Sequence, residues 1–264
     1  MGQPRPRLVK AVISAAFLSV LAALSGCGLL SSSASSPASA DPPATSHSAV
    51  VHHSAAAVAF TVTGSHPVRP NGSQDTYTPG ASCASATLAS DHALGVRIAR
   101  GFALTGLPVS AALLTHFLQG KGTEVSYPNG SAISKQARAS SAFQAVNNEV
   151  QAAILGQLKA GRTRVRLAAA QLPPVAFESR TSDLYWGFRG TQGLSVTGRG
   201  HRAHGRFTGT LTYVIRDSYG FPVGDTLDGF GAPMRYLQTT CGAPQHPDGA
   251  RWFPDTVTVT VPFG

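Results

Sequence analysis

Two hydrophobic rhythms divide the chain. Between residues 88 and 161 the apolar positions recur at helical spacing, and from residue 181 onward short runs rich in β-branched and aromatic residues alternate with Gly, Pro and Asp. The helical part opens with LASDHALGVRIARGFALTGLPVSAALLTHFLQGKG, read as two pieces broken near Gly106-Leu107-Pro108, with Leu113, Leu114, Phe117 and Leu118 on one face of the second. The next helix has Ser140 or Ser141 as its cap and Phe143, Val146, Val150, Ile154 and Leu158 as its stripe. Gly161 stands where a left-handed residue ends a helix. Residues 59–63, AFTVT, alternate like a short strand, and Pro128-Asn129-Gly130 signals a turn. LYWGFRG, GLSVTG, FTGTLTYVIRD, MRYLQTT and TVTVTVPF all read as strands. The class predicted is α+β: N-terminal helices packed on a C-terminal antiparallel β-sheet in a single domain, residues 59–264.

Two arginine patterns interrupt this apolar plan. In RTRVRL the residues Arg162, Arg164 and Arg166 would project from one face of a strand, ~6.7 Å apart, as a ladder for a repeating anionic ligand. The alternative is an edge strand whose charges discourage sheet association. GRGHRAHGRF, residues 198–207, holds Arg199, His201, Arg202, His204 and Arg206 and no acid. It lies between two strand candidates with Gly198, Gly200 and Gly205 to permit a turn, so it reads as a hairpin loop. The functional alternative is a contact for lipid phosphate or an anionic wall polymer. Two histidines three apart are too few ligands for zinc. No aromatic residues interleave with the arginines as a nucleic-acid surface would require.

The other end of the chain carries an address. MGQPRPRLVK is basic, and AVISAAFLSVLAAL, residues 11–24, is uncharged and apolar but shorter than the ~20 residues a membrane-crossing helix needs. Leu24-Ser25-Gly26-Cys27 follows. Residues 1–27 resemble the bacterial lipoprotein precursors, whose lipobox has a Leu, two small residues and a Cys in this order. The resemblance implies a signal peptide over 1–26 and acylation of Cys27. It also implies a lipid-anchored protein on the outer face of the cell membrane. Residues 27–58 are rich in Ser, Ala and Pro with almost no charge, which reads as a disordered tether. Its His47, His52 and His53 have no fixed geometry for a metal.

Charge changes the picture in one respect. The formal net charge is +9, of which Arg5, Arg7 and Lys10 would leave with the signal peptide, and the remainder is nearly all arginine. A basic exported protein meets anionic lipids and wall polymers rather than nucleic acid. Cys83 and Cys241 remain beside Cys27, and outside the membrane they can pair; two buried free thiols are the alternative.

Catalytic signatures are sparse. No nucleophile elbow, phosphate loop, HExxH or CxxC occurs, and no cofactor or metal is expected. The densest polar group is Arg216-Asp217-Ser218-Tyr219-Gly220-Phe221 with Asp225, Asp228 and Arg235 nearby. Asp217-Ser218-Tyr219 resembles the start of the Asp-x-Tyr-Asp segment of the colicin M-like toxins, which cleave a lipid-linked wall precursor. Gly220 replaces the second Asp here, and no His-Arg pair follows. Asp217, Tyr219, Asp225 and His116 are the candidates for a hydrolase of wall or lipid-linked substrates. For Asp217, Asp225 and Tyr219 turn and packing roles compete, and for His116 a structural one. The leading expectation is a non-catalytic envelope module that binds an anionic ligand or a protein partner; a structural subunit of an envelope complex is the third possibility.

Overall fold

The computed structural model describes residues 57–66, 82–222, 229–242, 246 and 248–264, all within the unit His53–Gly264. Cys27, residues 27–56 of the expected tether, Asp225 and Asp228 lie outside the described residues, and Val58, expected as the tether's last residue, is the first of β1. In chain order the elements are β1 (Val58–His66), α1 (Ser85–Leu104), α2 (Pro108–Leu118), β2 (Val125–Tyr127), α3 (Ala132–Ala139) and α4 (Ser141–Lys159). Then come β3 (Arg164–Leu167), α5 (Asp183–Phe188), β4 (Gly193–Ala203), β5 (Arg206–Tyr219), α6 (Gly231–Thr239) and β6 (Phe253–Phe263). The fold is α+β, as the two periodicities predict.

The six strands form one sheet in the order β2-β6-β5-β4-β1-β3. The central four pair antiparallel, while β2 on β6 and β3 on β1 are parallel. The expectation of a C-terminal, purely antiparallel sheet is therefore corrected: the sheet is mixed, and β1 from the start of the unit sits inside it. A parallel neighbour needs a long crossover, and α1 to α4 supply one between β1 and β3.

Alternation decides which face is covered. Leu211, Tyr213 and Ile215 of β5 and Val257, Val259 and Val261 of β6 are buried, as are Phe60, Val62, Leu194, Val196 and Val165 on the other strands. They meet the helical stripes carried by Leu113, Phe117, Ile133, Phe143, Val150 and Ile154. Full burial of each such side chain contributes ~1.5–3 kcal/mol. Phe143 packs edge-on against Tyr213 at 5.2 Å, and the Tyr213 hydroxyl donates to Asn147 Oδ1 at 3.0 Å. Residues of the intervening phase on β4, β5 and β6, such as Thr197, Thr212 and Thr258, are half-buried or exposed. The free edge of β6 is closed by side chains: Ser134 Oγ donates to the Thr258 carbonyl at 2.7 Å, and Thr260 N donates to Asn129 Oδ1 at 2.9 Å. Such capping keeps an edge strand from pairing with another chain.

Two runs read as strands are helices. LYWGF of LYWGFRG belongs to α5, and MRYLQTT runs through the end of α6 to Thr240. Burial at Leu184, Tyr185 and Phe188, and at Met234, Leu237 and Gln238, has the three-to-four spacing of a helix face. That packing, with Ser182 Oγ accepting from Leu184 N at 3.1 Å, overrides the aromatic composition. The predicted break between α1 and α2, the Ser140 cap of α4 (accepting from Phe143 N at 3.2 Å) and the left-handed Gly161 (φ 83°) are as expected.

Cys83 and Cys241 form a disulfide with Cα atoms 5.1 Å apart. It ties the entry to α1 to the exit from α6, and the Tyr236 hydroxyl accepts from Ala84 N at 2.9 Å beside it. Among the described residues no helix is long and apolar enough to cross a membrane.

Candidate functional site

The stretch GRGHRAHGRF is mostly strand, not loop. β4 runs to Ala203 and β5 starts at Arg206, so the turn consists of His204 (φ 50°) and Gly205 (φ 78°). Two consecutive left-handed residues are what a tight two-residue hairpin demands. Gly198 and Gly200 serve packing instead of turning. A Cβ on Gly200 would run into the Phe60 ring and the Thr208 carbonyl. Both glycines lie on the covered side, where Phe60 and Leu211 fill the space.

The intervening residues consequently face out. Arg199 and His201 lie on the open side of β4, and Arg206 is on that side of β5. Arg202 belongs to the opposite phase: its guanidinium sits 5.4 Å over the Phe207 ring, which itself packs against Phe60. The five basic residues of the stretch are thus split by the pleat and do not form one cluster.

β3 shows the same sorting. Arg164 and Arg166 are exposed while Val165 and Leu167 are buried. Arg162 precedes the strand and donates to Gln157 Oε1 at 3.3 Å, so the ladder has two rungs, not three.

Register then joins the two arginine groups. Thr61 of β1 is opposite Arg164 on one side and Arg199 on the other. Partners in register project to the same face, so Arg164, Thr61, Arg199 and Thr210 form one row across β3, β1, β4 and β5. The next row is Arg166, Thr63, Thr197, Thr212 and Thr260. Arg216 lies further along the same face and donates to Ser195 Oγ at 2.8 Å. No outward position of β1, β3, β4 or β5 carries a carboxylate. The arrangement can offer guanidinium forks and hydroxyls to an anion; the carboxylate of Glu124 lies at the other end of this face, accepting from Ser126 Oγ and Thr256 Oγ1.

The catalytic candidates went elsewhere. Asp217 continues the inward phase of Leu211, Tyr213 and Ile215, and directly opposite it on β6 stands Asp255, in phase with Val257. Both are buried. Asp217 accepts from Ser218 N at 2.8 Å and from the Gly190 N–H, and both Asp255 carboxylate oxygens lack a hydrogen-bond partner among the described residues. Burial is the main force pushing the Asp217 carboxyl up to about 7, in spite of those two N–H donors. Burial, with the charges of Asp217 and Glu124 adding to it, holds the Asp255 carboxyl well above the ordinary range. Burial, then Asp255 and Asp183, push the Tyr127 hydroxyl up to about 12. Asp183 is also buried, but its Oδ1 accepts from Ser110 N and Ser110 Oγ, both at 2.7 Å, which caps the first turn of α2.

Tyr219 stacks on Phe253 at 5.3 Å, and His116 meets the Phe253 ring edge-on at 4.5 Å. The His116 Nε2–H donates to the Thr123 carbonyl at 2.9 Å. Phe253 thus lies between Tyr219, which is packed into the interior, and His116, which is half-buried. A groove of 740 Å³ between α1 and α2 is lined by His116 with His92, Arg100 and Asp248, and neither Asp217 nor Tyr219 lines it. Among the described residues no three His, Cys, Asp or Glu side chains are placed to hold a metal ion.

Reading the sequence alone misses Asp255, Thr61 and Thr63 as participants. Asp255 was legible from parity, since it shares the odd phase of Val257, Val259 and Val261 and must point inward with them. Thr61 and Thr63 carry no such signal, because their role depends on which strands flank β1. Comparison of the chain with models of protein families, with curated proteins and with solved structures finds no match.

Proposed function

We propose that the protein is a non-catalytic, lipid-anchored module of the cell envelope that binds an anionic envelope ligand through the uncovered face of its sheet. The observation that carries this reading is the register through Thr61, which sets Arg164 and Arg199 in one row with Arg166 beside them. The lipobox at Leu24–Cys27 and the basic composition support the location: acyl chains on Cys27 would hold the protein on the outer face of the membrane. The third possibility, a structural subunit, has less support. Among the described residues the exposed large apolar side chains are Val58 and Leu104, which make no broad patch. The hydrolase reading also has less support, because Asp217 and Tyr219 are packed into the core instead of facing a cleft.

Opposite faces of the sheet supply the test. Replacing Arg164 and Arg199 by Ser removes two charges from the open face, whereas Arg202→Ser removes one from the other side. Binding to anionic material, followed over a salt series, should weaken with salt and be lost in the Arg164→Ser/Arg199→Ser variant. Arg202→Ser should bind as the parent does. Equal loss in both variants, or binding indifferent to salt, would refute a face-specific site.

A further inference from the structure

We infer that the ligand of the open face is a linear polyphosphodiester laid diagonally across the strands, not a bilayer surface; the inference rests on the anionic-ligand reading above. The cationic groups form a band. Arg166 and Arg164 follow each other along β3 at ~6.7 Å, and Arg199 lies two strands away, ~9.6 Å across. His201 is the next outward residue of β4, and Arg206 closes the line beside the hairpin turn. From Arg166 to Arg206 the diagonal spans roughly 25 Å at ordinary sheet spacings. It is one cation wide along most of that length.

Between the arginines stand hydroxyls. Thr61 separates Arg164 from Arg199, Thr63 and Thr197 flank that row, and Thr208 lies opposite His201, with its Oγ1 at 3.3 Å from His201 Nε2. A chain of phosphodiesters joined by polyol units presents this alternation of charge and hydrogen-bonding oxygens. Guanidinium forks hold the phosphates bidentately, and threonines meet the oxygens between them.

The same face lacks what a bilayer requires. Surface-seeking proteins bury apolar side chains at the headgroup boundary. Leu104 is at the end of α1, and Val58 is opposite Arg202 in register, on the covered side of the sheet. Neither can act as a wedge from the open face. Arg164, Arg166, Arg199 and Arg206 have no acid partner among the described residues, so their charge is available to a polymer.

The experiment uses the intact protein with three probes: poly(glycerol phosphate) of graded length and glycerol phosphate alone, both in detergent, and phosphatidylglycerol vesicles after the detergent has been diluted below its critical micelle concentration. Vesicle binding is read as the difference between the parent and the Arg164→Glu/Arg199→Glu variant, which cancels any contribution of the N-terminus. Affinity should climb tenfold or more as the polymer grows from two to about ten units, and this rise should vanish in the variant but persist in Arg202→Glu. Unchanged circular dichroism melts would show that the exposed substitutions leave the fold intact. Polymer binding no tighter than that of the monomer overturns the linear track. Vesicle binding without polymer binding overturns the choice of polymer but leaves the basic face standing. Binding to none of the probes removes both.

Discussion

Asp217 is the residue whose position has the most measurable consequence. Its carboxyl is held near 7 in the fold against 3.8 as its ordinary value, chiefly by burial. The folded state therefore keeps a proton that the unfolded chain releases. Stability from this group is complete below about pH 4 and is lost as the pH rises toward 7. Asp255, raised in the same direction, deepens the loss, and Glu124 adds charge from the rim. Asp217→Asn keeps an oxygen for the Ser218 N–H and removes the charge. It should match the parent near pH 4 and exceed it at pH 8, by an amount on the order of 4 kcal/mol at most. Urea denaturation at the two pH values measures this; a gap that does not widen with pH would refute it. The inward aim of Asp217 was legible, because it shares the phase of Tyr213 and Ile215. Its partner was not, since nothing in the order of residues says that β6 lies beside β5 with Asp255 at that position.

At the scale of elements, local signals worked where they were chemical and failed where they were statistical. Ser140 ends α3 and begins α4, and its hydroxyl accepts from Phe143 N. Ser140→Ala should therefore cost about 1 kcal/mol, seen as a lower denaturation midpoint with unchanged helix content at low denaturant. No change in midpoint would mean that the cap is dispensable. The hairpin after β4 is a second chemical signal, read one step too coarsely. Gly205 supplies the left-handed turn, but Gly198 and Gly200 mark the place where Phe60 and Leu211 occupy the covered face. α5 and α6 show the failure. Aromatic and β-branched composition favours strands, but the contacts that bury Leu184 and Phe188, or Met234 and Leu237, recur at helical spacing.

At the scale of the whole molecule, the Cys83–Cys241 bond closes a loop with a sequence separation of 158, which holds every described helix and all strands but β1 and β6. Constraining a loop of that length stabilises by about 5 kcal/mol in the chain-entropy account. Reduction, or Cys241→Ser, should lower the urea midpoint sharply. Identical midpoints with and without reductant would show that the bond contributes nothing. A second global property is the separation of charge from the core. Inward positions of the sheet hold most of the apolar residues and the Asp217–Asp255 pair, while Arg164, Arg166, Arg199, Arg206 and Arg216 stand at outward positions among threonines.

Composition, periodicity and capping residues by themselves determined the α+β class, most of the strands, the α1–α2 break, the ends of α4 and the outward projection of Arg164 and Arg166. Each of these follows from interactions between residues close in the chain or from a period of two or 3.6. Only the tertiary structure decided the strand order, the parallel edges, the helical state of α5 and α6 and the pairing of Asp217 with Asp255. It also decided that Arg164 and Arg199 share one row. These depend on which distant segments become neighbours, and that choice is made by the burial of the whole core.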